Sequence, residues 1–290
     1  MAAWGGSFSA SLYFRVGFEM APRDYPNISC GILTKQSFKD WSTVRKVFTL
    51  WHKVAPTYFP NRYDLTEPIR RPLSIETLDA MEEIWEMNVC FKTTKSPWVE
   101  ASCSIEGAFE SERKYSTLHV TAESGKGAEP ELIRFIEQAA IATDAEFAYI
   151  HRANSTEQNR DREKKIDSVY TCGITDKYPL ISVHSKHLPL GMPDLYWCTI
   201  LGKDKVEEIG RAGLSACPVY KVQWLNDDLV RLQLTSSIND SRDNEQDFEK
   251  LRVNIKRYLG EKLFQPYSWP PGYRPLIDIL NEIAAKNLKR

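Results

Sequence analysis

A chain of 290 residues with 42% apolar and 27% charged residues can bury a sizeable core, in about two domains at roughly 150 residues each. That composition excludes a disordered chain. The 38 Lys and Arg against 39 Asp and Glu leave a formal charge of −1, which excludes a bulk field drawing the chain to nucleic acid or to an anionic membrane.

The first residues carry neither the basic start nor the unbroken apolar run of a signal peptide, and no segment reaches the ~18 consecutive apolar residues of a membrane-spanning helix. Cys30, Cys90, Cys103, Cys172, Cys198 and Cys217 form no C-x-x-C pair. Buried free thiols are expected, rather than a disulfide framework or a zinc site, and a reducing, cytoplasmic location fits them.

Ser11 to Met20 alternates, with Leu12, Phe14, Val16, Phe18 and Met20 on one side, and predicts an opening strand. From Asp40 the period changes. Trp41, Val44, Phe48, Trp51 and Ala55 fall on one helical stripe that Pro56 ends, and such a helix needs a sheet to pack on. Pro56, Pro60, Pro68 and Pro72 predict a loop, and a helix is expected from Ser74 with Glu76 and Glu82 on its wet side. Residues 56–97 read as an insertion.

Val99, Ala101, Cys103 and Ile105 alternate with polar residues, as do Leu118, Val120 and Ala122, which predicts an antiparallel pair of strands. Pro130 suits the first turn of a helix with Leu132, Ile136, Ala139 and Ala140 on one face, and Phe147 to Ile150 reads as a strand. The order β, α, β, β, α, β is that of a split βαβ unit.

Ala153 to Asp167 has Ile166 as its single large aliphatic residue and reads as a solvated linker. Beyond it come strand 195–201, helix 203–211, strands 218–224 and 228–235, and helix 244–259. Leu195 to Leu201 is a continuous apolar and neutral run, as expected of a central strand covered on both faces, whereas the following pair alternates like a hairpin with one wet face. The last of these helices has Phe248, Leu251, Ile255, Tyr258 and Leu259 on one stripe, Asp243 as a candidate N-cap and Gly260 just past its end. A final helix is expected over 276–288. The fold class is therefore α+β, with antiparallel sheet and packed helices. The expected division is an N-terminal half, 1–152, a polar linker, 153–169, and a C-terminal half, 170–290. The halves are expected to be related βαββα-type units, with either one continuous sheet or two left open; a single α+β domain without internal pseudosymmetry is the alternative.

No catalytic pattern in the sequence is complete. Gly125-Lys126 lacks the upstream glycine of a phosphate-binding loop, and no G-x-S-x-G elbow is present. His184 and His187 lack a third metal ligand nearby. Asp194 could begin a magnesium-nuclease motif, but the acid-x-Lys pair that would complete it is missing, and Asp194 reads as a turn residue after Pro193. No cofactor and no metal are expected.

Acidic and aromatic residues do gather near the predicted hairpin. Asn226, Asp227 and Asp228 form its tip beside Trp224, and Asp240, Asp243 and Glu245 follow it. A solvated loop and acids favoured at a helix N-terminus account for most of them. The functional reading is an acidic docking face for a basic protein.

The motifs G-M-P-D-L-Y-W-C-T-I-L-G from Gly191, L-S-A-C-P-V-Y-K-V from Leu214 and L-V-R-L-Q-L-T from Leu229 resemble the bacterial immunity protein 52 family. The similarity runs over residues 188–264 and into the helix ending Lys256-Arg257-Tyr258-Leu259-Gly260; the N-terminal half matches only in length and element order. The resemblance implies an α+β protein encoded beside a polymorphic or type VI secreted toxin, commonly a restriction-endonuclease-like nuclease. It implies neutralisation by binding, through cleft occlusion or blocked toxin assembly, without enzymatic activity. The expected partner is that toxin domain, with no direct contact to nucleic acid or membrane. A small-molecule enzyme using His119, His151 or His184, and a structural partner in a larger assembly, are the alternatives.

Overall fold

The computed structural model describes residues 27–66, 68–85, 88–105, 115–124, 128–154, 183, 188 and 191–264. Helix α1, Trp41–Val54, starts where the Asp40 carboxylate accepts the Ser42 N–H, and closes with the Ala55 N–H on the Trp51 carbonyl just before Pro56. Its stripe buries Val44, Val47, Phe48 and Trp51. Helix α2, Ala128–Ala142, buries Leu132, Ile136, Ala139 and Ala140 as expected, and the Phe135 ring stacks on Trp51 at 4.9 Å. Fully burying each such aromatic is worth about 1.5–3 kcal/mol.

Both helices pack on a ten-stranded antiparallel sheet ordered β3-β2-β4-β5-β6-β1-β7-β8-β10-β9. The strands are β1 (Asn27–Thr34), β2 (Arg62–Asp64), β3 (Arg71–Pro72), β4 (Asn88–Lys92), β5 (Val99–Ser104) and β6 (Ser116–Glu123). They continue with β7 (Ala145–His151), β8 (Cys198–Leu201), β9 (Lys221–Trp224) and β10 (Val230–Gln233). The expected β5–β6 pairing holds, with Val99, Ala101 and Cys103 opposite Ala122, Val120 and Leu118. Between β8 and β9 lie α3 (Lys203–Ile209) and α4 (Arg211–Ser215); after β10 come α5 (Asp240–Asp243) and α6 (Glu245–Leu259).

The α+β class is as expected, one sheet runs through both parts, and the pairing order has an internal echo. In the first part β6 returns beside β1 with β5 outside it; in the second β10 returns beside β8 with β9 outside it. β1 and β8 flank β7, each antiparallel to it, so the two triplets are related by a half-turn about β7. A half-turn about a strand exchanges the faces of a sheet. Cross-strand partners share a face, so Phe91, which meets Phe48 of α1, lies on the side of Ala101, Val120 and Cys30. His151, which meets Phe248 of α6, lies on the other. The helices of the first part cover one face, and those of the second part the opposite face.

Several expectations need correction. The first described strand is β1, N-I-S-C-G-I-L-T, which does not alternate and is buried on both faces from Ile28 to Thr34; the expected strand 11–20 and helix 276–288 lie outside the described residues. Residues 56–97 are not a loop insertion alone, because β2, β3 and β4 within them extend the sheet past β5. The helix expected from Ser74 is present as a 3-10 helix, Leu78–Ile84, and starts four residues later. The central strand begins at Cys198, with Leu195, Tyr196 and Trp197 buried ahead of it. The N-cap of α6 is Asn244, since Asp243 ends α5, and Tyr258 is exposed at the edge of its stripe.

The expected wet face of the hairpin is also wrong for β10. Arg231 and Gln233 are buried because α2 passes over that side of the strand and Glu137 takes the Arg231 guanidinium. Asp194 is more than a turn residue. It is buried with Arg252, 1% exposed, at 3.8 Å, and Lys256 Nζ also bonds it, while Glu249 holds the other end of the Arg252 fork and the Asn154 amide. This network fastens α6 to the chain entering β8 and to the end of β7.

Among the described residues no helix is long and apolar enough to cross a membrane. Cys30, Cys103, Cys198 and Cys217 are buried free thiols and Cys90 is half-buried; Cys172 lies outside the described residues. Burial pushes the Cys198 thiol up to about 12, which keeps it protonated and unreactive at neutral pH.

Candidate functional site

The hairpin carrying Trp224 and the tip residues closes through the Leu225 N–H on the Leu229 carbonyl at 2.9 Å. The Asn226 side chain accepts the Asp228 N–H at 2.9 Å, the local bond that suits Asn to a tight turn. Trp224 is clamped rather than free. Its indole N–H donates to Ser215 Oγ at 3.0 Å, and the Arg211 guanidinium lies 3.9 Å from its ring centre. Arg211 also donates to the Asp227 carbonyl at 3.0 Å and stands 3.6 Å from its carboxylate. Helix α4 thereby holds the tip in one conformation. The Asp227 side chain is fully exposed and Asp228 is exposed, so the tip presents two carboxylates beside a half-buried indole.

The second acidic segment is elsewhere. Asp240 accepts the Asn244 side-chain amide at 3.1 Å, Asp243 is exposed, and Glu245 opens the first turn of α6, where acids favour the helix dipole. The tip precedes Val230, while 240–245 follow Gln233 and attach, through Ser241 Oγ to the Arg152 carbonyl at 2.8 Å, to the end of β7. The structure therefore brings Trp224, Asn226, Asp227 and Asp228 together and leaves Asp240, Asp243 and Glu245 beyond the opposite end of β10.

The candidate histidines are placed as follows. His151 is fully buried, with Nδ1 accepting the Trp197 N–H at 3.0 Å. His119, half-exposed, has Nδ1 3.2 Å from the Tyr149 hydroxyl across Gly31. His184 and His187 lie outside the described residues. Among the described residues no group of His, Cys, Asp and Glu could hold a metal. A shallow groove of about 500 Å³ beside the start of α1 mixes Lys39, Arg45, Asp40 and Glu82 with Trp41 and Trp85.

Arg211 and Ser215 escaped the sequence reading because nothing local marks them as partners of Trp224. Arg252 carried a signal: it falls in the apolar register of Phe248, Ile255 and Leu259, and a charge there announces a buried counter-ion.

No family model and no curated protein matches the chain. Among solved structures it is similar to the Pseudomonas aeruginosa T6SS protein PA0821, with a TM-score of 0.51 and 14% identity, over 88% of this chain and 80% of that one. The two share a fold. No family model supports the resemblance of residues 188–264 to the immunity protein 52 family.

Proposed function

We propose that this chain is an immunity protein of a type VI secretion system, which binds and neutralises a cognate toxin, most plainly a restriction-endonuclease-like DNase. The observation that carries the reading is the fold shared over most of both chains with a T6SS protein. The immunity-family motifs in the same direction add to it. Binding rather than chemistry is the proposed activity, either by covering the catalytic cleft or by blocking an assembly that the toxin requires.

The proposed contact is the hairpin tip, where Asp227 and Asp228 offer exposed charge and Arg211 and Ser215 pre-order Trp224. Exposed carboxylates on a rigid turn suit a basic surface, and opposite charge speeds association. The test is titration calorimetry of this protein against an inactivated nuclease domain of the toxin encoded beside it, followed by a DNA-cleavage assay with active toxin. Tight one-to-one binding with loss of cleavage is expected, and Asp227→Ala with Asp228→Ala should weaken it. No binding would sink the reading, and unchanged affinity in the double variant would remove the tip from the interface.

A further inference from the structure

The two edges of the sheet differ. β3 is two residues long and ends in Pro72, which has no N–H to offer an incoming strand. β9 contains no proline. The Leu225 N–H on the Leu229 carbonyl, and the Leu234 N–H on the Trp197 carbonyl at 2.8 Å, set the phase of the ladder. Lys221 and Gln223 bond inward to β10, and the amides and carbonyls of Val222 and Trp224 point outward. The Tyr220 amide turns inward to the Leu234 carbonyl at 3.2 Å. No described residue pairs with the outer side of β9.

The strand has a charge direction. Lys221, exposed and without an ion pair among the described residues, stands at its start; the Asp227 and Asp228 carboxylates stand just past its end. An antiparallel second copy of the same strand brings unlike ends together. We propose that β9 pairs with β9 of a second copy of this chain about a two-fold axis at Gln223. Val222 then faces the partner's Trp224, and the reverse, with ~4 backbone hydrogen bonds closing the edge. That register sets β-branched residues against aromatic ones, a favourable cross-strand combination. Neutral Gln223 meets its own copy, so no like charges face each other on the axis. Lys221 faces the partner's Leu225 and lies diagonally beside the partner's Asp227, within reach of a long side chain. Tyr220, 61% exposed, comes opposite the partner's Asn226.

The proposal goes beyond toxin neutralisation, because the occupant of the β9 edge is a second copy of this chain, held through its backbone, and no toxin takes part. Sedimentation velocity of the full chain across a concentration series tests it, with a dimer expected. Val222→Pro removes an outward N–H that β10 does not use, and should give a folded monomer that melts in one cooperative step at a temperature independent of concentration. Gln223→Cys occupies a non-hydrogen-bonded pair across the axis, where Cα atoms approach at about 4.5 Å, and should form an intermolecular disulfide on oxidation that wild type lacks. A monomeric wild type overturns the proposal, as does a dimer that survives Val222→Pro and gives no Gln223→Cys cross-link. A monomer whose Val222 and Trp224 amides become protected from hydrogen exchange on adding the inactivated nuclease domain would assign this edge to the toxin, and would also overturn self-pairing. Calorimetry with the Val222→Pro variant keeps toxin binding separately measurable.

Discussion

Arg231 of β10 is ion-paired with Glu137 of α2, and their side chains are 7% and 16% exposed. The pair crosses from the second triplet of strands to a helix of the first, so it resists separation of the two parts. Removing one partner strands a desolvated charge. Arg231→Ala should destabilise the protein by about 3–5 kcal/mol, whereas Arg231→Met with Glu137→Leu, which removes both charges, should cost far less. Urea denaturation of the single and double variants measures the coupling, and equal losses in both would deny the pair its role.

Two glycines should respond differently to alanine. At Gly202 an added Cβ would sit 2.2 Å from the Ala145 carbonyl oxygen and 2.6 Å from Glu146 Cα, both backbone atoms that have nowhere to go. At Gly31 it would meet the His119 and Tyr149 rings, each at 2.8 Å, and the Leu118 carbonyl oxygen at 3.1 Å; Tyr149 is buried, but His119 is half-exposed and can rotate away, and no backbone atom is as close as at Gly202. Gly202→Ala is expected to cost the upper end of the ~1–3 kcal/mol typical of overpacking, and Gly31→Ala the lower end. Adding His119→Ala should recover part of the Gly31→Ala loss. Thermal denaturation of the set decides, and the reverse order would contradict the close approach of β7 and β8.

Hydrogen bonds from the Ser42 hydroxyl and the Ser42 N–H hold the Asp40 carboxyl below its ordinary value of 3.8. A carboxyl depressed in the folded state stabilises above the unfolded value, and that stability is lost as pH falls through the folded one. Asp40→Asn should therefore lower the melting temperature at pH 7 and show a shrinking difference from wild type as the pH falls below about 4. A difference that does not change with pH would mean that the cap acts without its charge.

Thiol labelling should follow burial. Cys198 and Cys217, pushed up by burial to about 12 and about 11, should stay unmodified by a thiol reagent at pH 7.5 in the folded protein. Half-buried Cys90 should label ahead of them, and all three should label in denaturant. Peptide mapping by mass spectrometry reads this order, and fast native labelling of Cys198 would contradict its place in the sheet.

What the sequence determined by itself is periodic. The stripes of α1, α2 and α6 and the alternation of β5 and β6 are local repeats that match the geometry of one element with one wet side. The helix start at Asp40, its stop at Pro56 and the hairpin around Asn226 were legible for the same reason, since each depends on residues only a few positions apart. Of the candidate site, the tip residues were legible, and their clamp by Arg211 and Ser215 was not.

Tertiary structure alone decided which strands meet and what covers them. β1 has no alternation because side chains on both of its faces are buried, and its strand partners β6 and β7 lie many residues away. β10 carries Arg and Gln where solvent was expected, because α2 brings Glu137 to that face. Asp194 looks like a turn residue until α6 supplies Arg252 and Lys256. In each case the deciding neighbour comes from a distant part of the chain, and local periodicity holds no information about it. The half-turn about β7, which sends the two sets of helices to opposite faces, follows from strand pairing in the same way.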